Sequence, residues 1–185
     1  MGSSTWTVLK DWSLTNGTGS ITMNPQTSTV ILSGSDAAAI SGNNSFNNLR
    51  CLTAGKALTF EADKNQSVAN LTFSGADSSL IALTSSIPAT PWKLNVSGSA
   101  VGMKYLNVKD SNASSGKAIV TVSSTNSLNN TNWVFDTAGA VYWTNSSGDN
   151  KWSTAANWST GVVPISTDAV YFSSVSTANC TVDQN

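Results

Sequence analysis

The chain has 185 residues, of which 10% are charged and 39% hydrophobic, and its formal net charge is −1. Charge this far below the roughly 25% of ordinary globular domains leaves no basic footprint for nucleic acid and no polybasic patch for an anionic bilayer. The apolar content, with seven Trp, is too high for a disordered segment.

The sequence contains no His, which removes the usual general base near neutral pH and the commonest metal ligand. Cys51 and Cys180 are far apart and form no C-x-x-C pair, so neither a zinc site nor any other cofactor is expected. One disulfide is arithmetically allowed. The preferred reading is two separate small apolar residues at equivalent positions of alternating runs. Met1–Ser4 has neither a basic start nor an apolar stretch, so it is not read as an export signal. No apolar run approaches the ~20 residues of a membrane span.

In chain order, Trp6, Val8 and Trp12 precede a turn predicted at Asn16-Gly17-Thr18-Gly19, where Asn-Gly favours positive φ. Ile21 and Met23 alternate up to Pro25, and Thr29-Val30-Ile31-Leu32 is a short β-branched strand. Ala37–Ala39 could start a helix, but Gly42 and the missing 3.6-residue stripe argue against one. From Phe46 a phrase recurs in altered form: Phe46-Asn47-Asn48-Leu49, then Val68-Ala69-Asn70-Leu71, then Met103-Lys104-Tyr105-Leu106, each followed by an alternating run. Period-two alternation means a strand with one buried face. The interval from Leu49 to Leu71 suits one coil of a solenoid.

The expected core ladder is Phe46, Leu49, Leu71, Phe73, Leu106, Val108, Trp133 and Phe135, with Leu49, Leu71 and Leu106 stacked rung on rung. Between these copies lie the runs around Leu58 and Phe60, Leu80–Thr84, Trp92-Leu94-Val96 and Ala118–Val122. The longer interval from Leu71 to Leu106 is assigned to a lateral loop or an additional strand pair at Pro88–Pro91, since proline cannot donate to a ladder. The chain is therefore expected to be all-β, as a right-handed parallel β-helix with lateral loops. A β-sandwich is the alternative, because regular turn signals alone do not separate the two.

Certain phrases resemble those of bacterial right-handed β-helix repeats in autotransporter- and adhesin-like surface proteins. They are Ile40-Ser41-Gly42-Asn43-Asn44-Ser45-Phe46-Asn47-Asn48-Leu49 and Asn129-Asn130-Thr131-Asn132-Trp133-Val134-Phe135. A third runs from Trp152-Ser153-Thr154-Ala155-Ala156-Asn157-Trp158-Ser159 through Val163-Pro164 to Asp168-Ala169-Val170-Tyr171-Phe172. The resemblance implies a β-helix displayed extracellularly or on the cell surface. It also implies one unit over 1–139 and the start of a following unit of the same solenoid over 140–185. Thr144–Ser147 departs from the glycines usual at such an opening. The export signal would then lie elsewhere.

Two functions are consistent with these residues. The first is a non-enzymatic structural or adhesive module, with neighbouring repeats or copies of itself as partners and no nucleic acid or direct membrane span. The second is a carbohydrate-binding or carbohydrate-active domain, in which Trp143, Trp152 and Trp158 contact an extracellular glycan or a host or cell surface. A small structural core is the simpler reading of those tryptophans. No catalytic residue is assigned. The nine Asp and Glu61 sit mostly at turns, where side chains cap backbone amides, and glycoside hydrolysis needs a facing pair. Asp110-Ser111-Asn112 and Gly148-Asp149-Asn150 lack regular calcium-loop spacing.

Overall fold

The computed structural model describes residues 2–14, 23–136, 140–172 and 175–184. The turn expected at Asn16–Gly19 and the strand residue Ile21 lie outside the described residues.

Alternating apolar residues and β-branched runs produce short strands that are dealt in turn to two sheets. One takes β1 (Thr5–Val8), β3 (Thr29–Leu32), β5 (Asn44–Cys51), β7 (Asn65–Phe73), β9 (Trp92–Ala100), β11 (Ser111–Asn112) and β14 (Asn130–Thr131), hydrogen-bonded in that order. The other takes β2 (Trp12–Ser13), β4 (Ala38–Ser41), β6 (Ala57–Phe60), β8 (Ile81–Ser85), β10 (Leu106–Val108) and β13 (Thr125–Asn126), also in sequence order. Every pairing is parallel. A chain that visits two parallel sheets alternately, always moving on by one strand, is a parallel β-helix. Right-handed winding is the sense that twisted parallel strands favour. A third, narrower face carries the parallel bridges Ser74–Lys104 and Lys104–Val122, and ends in β12 (Ile119–Val122) paired with β15 (Trp133–Asp136).

The interior is built from columns of side chains in register. Val30, Leu49, Leu71 and Ala100 follow one another across β3, β5, β7 and β9. Cys51 pairs with Phe73, and Phe46 leads to Val68 and Val96. Across the second sheet, Ala38, Leu58, Leu83 and Val108 form a matching column. The named residues of these columns are nearly all at most 4% exposed, Ala100 reaching 7%. Phe60 and Trp92 stack face to face at 4.0 Å, linking the two sheets through the core.

Leu106 does not sit on Leu71. It belongs to the second sheet and stacks on Ile81, while Ala100 takes the place above Leu71. The long interval has a physical cause: β8 and β9 lie inside it, and Pro88 and Pro91 occupy the turn between them. Trp133 and Phe135 are only half-buried and pack against the last layer of the core. The alanines expected not to form a helix lie at β4, with Ala38 inside and Ala39 outside.

Corners are made at residues that tolerate left-handed backbone, among them Asp63, Asp110 and Asn132 with φ of 61°, 54° and 62°. At Gly98 the chain bulges past β7, and a Cβ there would stand 2.5 Å from the Ala69 carbonyl oxygen. Only glycine fits that approach.

Beyond residue 139, β16 (Ala140–Tyr142) pairs in parallel with β17 (Ala169–Tyr171), and among the described residues neither pairs with a solenoid strand. This small unit leans on the side of the body. Gly102 donates its N–H to the Ser159 carbonyl at 3.1 Å, and Lys117 Nζ donates to the Ser146 carbonyl at 2.9 Å. Among the described residues no helix is long and apolar enough to cross a membrane.

Candidate functional site

The tryptophans singled out in the sequence come together, but facing inward. Trp143 and Trp158 are 0% exposed, and Trp152 is half-buried against them. The rings meet edge to face, with centroids 5.0 Å apart for Trp143 and Trp158 and 4.6 Å for Trp152 and Trp158. This is a favoured geometry for aromatic pairs. Their polar ends are satisfied within the chain: Trp143 Nε1 donates to the Ala178 carbonyl at 3.0 Å, and Trp158 Nε1 donates to the Trp152 carbonyl at 2.8 Å. A sugar ring needs an open indole face, and Trp143 and Trp158 offer none. Together they form a satellite core, to which Val141, Val163, Val170 and Cys180 contribute.

A polar knot supports that core. Asn157 ends a single 3-10 turn (Ala155–Asn157) and is fully buried. Its amide donates to Asp149 Oδ1 at 2.7 Å and to the Lys151 carbonyl at 2.9 Å, and its Oδ1 accepts from the Ser147 N–H and hydroxyl. The Thr154 hydroxyl above all, then the Lys151 N–H and the Asn157 amide, hold the Asp149 carboxyl well below the usual carboxylate range. Asp183 is lowered in the same sense by the Ser153 hydroxyl and N–H. The Tyr142 hydroxyl is pushed up to about 12, chiefly by its hydrogen bond to Asp136.

Most of the other carboxylates act as local caps or ion pairs. Asp110 is buried and accepts from Asn129 Nδ2 at 2.7 Å and from the Ala89 N–H at 3.1 Å. Glu61 accepts from the Gly42 N–H at 2.7 Å, Asp11 from the Ala39 N–H at 2.8 Å and Asp168 from the Ile165 N–H at 2.8 Å. Asp36 pairs with Lys10 and Asp63 with Lys93, all exposed. Among the described residues no group of three His, Cys, Asp or Glu could hold a metal ion. Both cysteines are free thiols; Cys51 is buried in β5, and Cys180 lies outside any named strand.

Hollows line the seam between the solenoid and the C-terminal unit. One of about 340 Å³ lies between Lys117 and Thr144–Ser146, and one of about 230 Å³ between Met103, Val122 and Ser159.

One feature of the outer surface escaped the sequence reading. On the solvent side of the seven-stranded sheet, Asn48 donates to Thr29 Oγ1 at 3.2 Å, Asn70 donates to Asn48 Oδ1 at 3.0 Å, and Ser99 donates to Asn70 Oδ1 at 2.9 Å. The result is an uncharged hydrogen-bonded row across four coils. Its signal was present, since Asn48 and Asn70 each precede the repeated Leu.

Comparison of the chain with protein-family models, curated proteins and solved structures finds no match.

Proposed function

We propose that this chain is a non-enzymatic structural or adhesive module of an extracellular surface or filament-forming protein, acting through the faces and open ends of its solenoid. The observation that carries the reading is the pair of parallel sheets, whose terminal strands β1 and β14 in one, β2 and β13 in the other, are each paired on one side among the described residues. Such edges accept further strands. The seven-stranded face between them carries an uncharged row of Asn, Ser and Thr from Thr29 to Ser99, beside a few exposed charges such as Arg50 and Lys93. A solenoid of this kind offers an extended surface to a partner and can be lengthened coil by coil. The low charge and polar uncharged surface support display outside the cell.

Light scattering over a range of concentrations, read with electron microscopy, tests the assembly part. Concentration-dependent end-to-end particles are expected, and a strictly monomeric chain at high concentration sinks it. Binding of the fluorescently labelled chain to intact cells or extracellular matrix tests the adhesive part.

A further inference from the structure

Lys56 follows Gly55 and opens the run to Phe60. In the fold it is 1% exposed. Its side chain runs along the solenoid from the third coil toward the first, and Nζ donates to three carbonyl oxygens: Leu9 at 2.9 Å, Ser33 at 2.7 Å and Asp36 at 2.6 Å. Leu9 belongs to the link between β1 and β2, and Ser33 and Asp36 to the turn between β3 and β4. An ammonium group has three donors, and all three are used. The acceptors are main-chain dipoles; the nearby Asp36 carboxylate turns outward to Lys10 at 3.2 Å. Burying a cation is costly unless its donors are matched, so this tripod is a built site.

The backbone is shaped to make it. Gly34 has φ of +78°, and a Cβ there would lie 3.1 Å from the Leu9 carbonyl oxygen. The first coil and the turn beneath it are therefore in near contact beside the cage. That coil is also held by the pairing of β1 with β3 and of β2 with β4, and by the Trp12 indole N–H donated to Asn44 Oδ1 at 2.9 Å. β1 is largely exposed, Trp6 is 44% exposed, and Trp12 is its main buried anchor. Yet β1 covers the edge of β3, whose Val30 and Leu32 are each 1% exposed.

We propose that the carbonyls of Leu9, Ser33 and Asp36 form a cation-binding cage whose tethered occupant is Lys56, and that filling it with a primary ammonium group keeps the first coil seated on β3. Emptied of its lysine, the cage takes a small free ammonium ion of the same geometry. This holds whether or not the molecule assembles through its ends.

Hydrogen exchange of the full chain tests it, with Lys56→Ala measured in sodium, methylammonium or tetramethylammonium chloride at equal ionic strength. Loss of three charge-assisted hydrogen bonds is expected to speed exchange in Thr5–Ser13 by about tenfold or more, with β7 and β9 unchanged. Methylammonium should restore protection, and tetramethylammonium, which has no N–H donor, should not. Lys56→Met, which keeps most of the alkyl stem, should exchange like Lys56→Ala in sodium chloride, and it carries the test if the alanine variant does not fold. Wild-type exchange in Lys56→Met overturns the proposal. So does acceleration in Lys56→Ala that methylammonium leaves untouched, which would reduce Lys56 to a packing element.

Discussion

The solenoid body and the C-terminal unit solve the same problem, burying apolar surface between parallel strands, in opposite ways. The body does it by repetition. Each coil sets a Leu, Val or Phe over its counterpart one coil below, and the column from Val30 to Ala100 needs only alternation and register. Among its described residues the C-terminal unit has one parallel strand pair, which gives no column across several coils. It uses bulk and polar fastening instead: Trp143 and Trp158 buried against each other, with Asn157 and Asp149 tying the loop beneath them. Its outer side is left more apolar, with Val162, Ile165, Tyr171, Phe172 and Val182 between 47% and 68% exposed. Repetition spreads stability over many equivalent contacts, whereas the small unit concentrates it in a few irreplaceable ones.

The contrast can be broken from either side. Trp92 lies at the centre of the body, 1% exposed and stacked on Phe60. Trp92→Ala should cost about 3–5 kcal/mol, lowering the urea midpoint of the body as a whole. A loss confined to the coils next to β9 would show that the coils unfold independently. Trp158→Ala removes a similar volume, at about 3–5 kcal/mol, but its effect should stay within 140–184. Amide exchange there should rise while β5, β7 and β9 keep their protection. Equal loss in both regions would mean that the lateral contacts at Gly102 and Lys117 couple them into one cooperative block.

Acid should separate the two regions next. The Asp149 carboxyl is lowered in the folded state, first by Thr154, so it stabilises the native unit above the unfolded value of about 4. That contribution is lost as pH falls below about 4 toward the depressed native value. Far-ultraviolet and tryptophan signals of the C-terminal unit should therefore change between pH 4 and pH 2 (about the range set by those values). Asp149→Asn should flatten this response and weaken the unit at neutral pH; an unchanged acid profile would assign the loss to another carboxylate.

The smallest effect belongs to the outer row. Asn70→Ala interrupts the chain of hydrogen bonds from Thr29 to Ser99 on an exposed face and should cost no more than about 1 kcal/mol in urea denaturation. A larger loss would make the row part of what holds the coils in register.

Much of the body was legible in advance because alternation is a local property. Leu58 and Phe60, or Leu94 and Val96, declare their buried face within five residues, and their β-branched neighbours favour strands. The recurring phrase that ends in Leu marked one coil correctly at Leu49 and Leu71. It misled at Leu106, because the same short phrase serves either sheet and nothing local says which. The tryptophans of the C-terminal unit were found as a cluster, but whether an indole faces solvent or core depends on residues up to 35 positions away, such as Ala178, whose carbonyl receives Trp143 Nε1.

By itself, then, the amino-acid order determined the strand content, the inward residues of most coils and the turns at Asn, Asp, Gly and Pro. Period-two patterning and left-handed tolerance are written residue by residue. Tertiary structure alone decided which strand lies over which, that the C-terminal unit sits beside the body, and that Lys56 threads three carbonyls from two earlier coils. Those outcomes are set by contacts between residues far apart in sequence, where register and the cost of burying a charge are settled only once the coils are stacked.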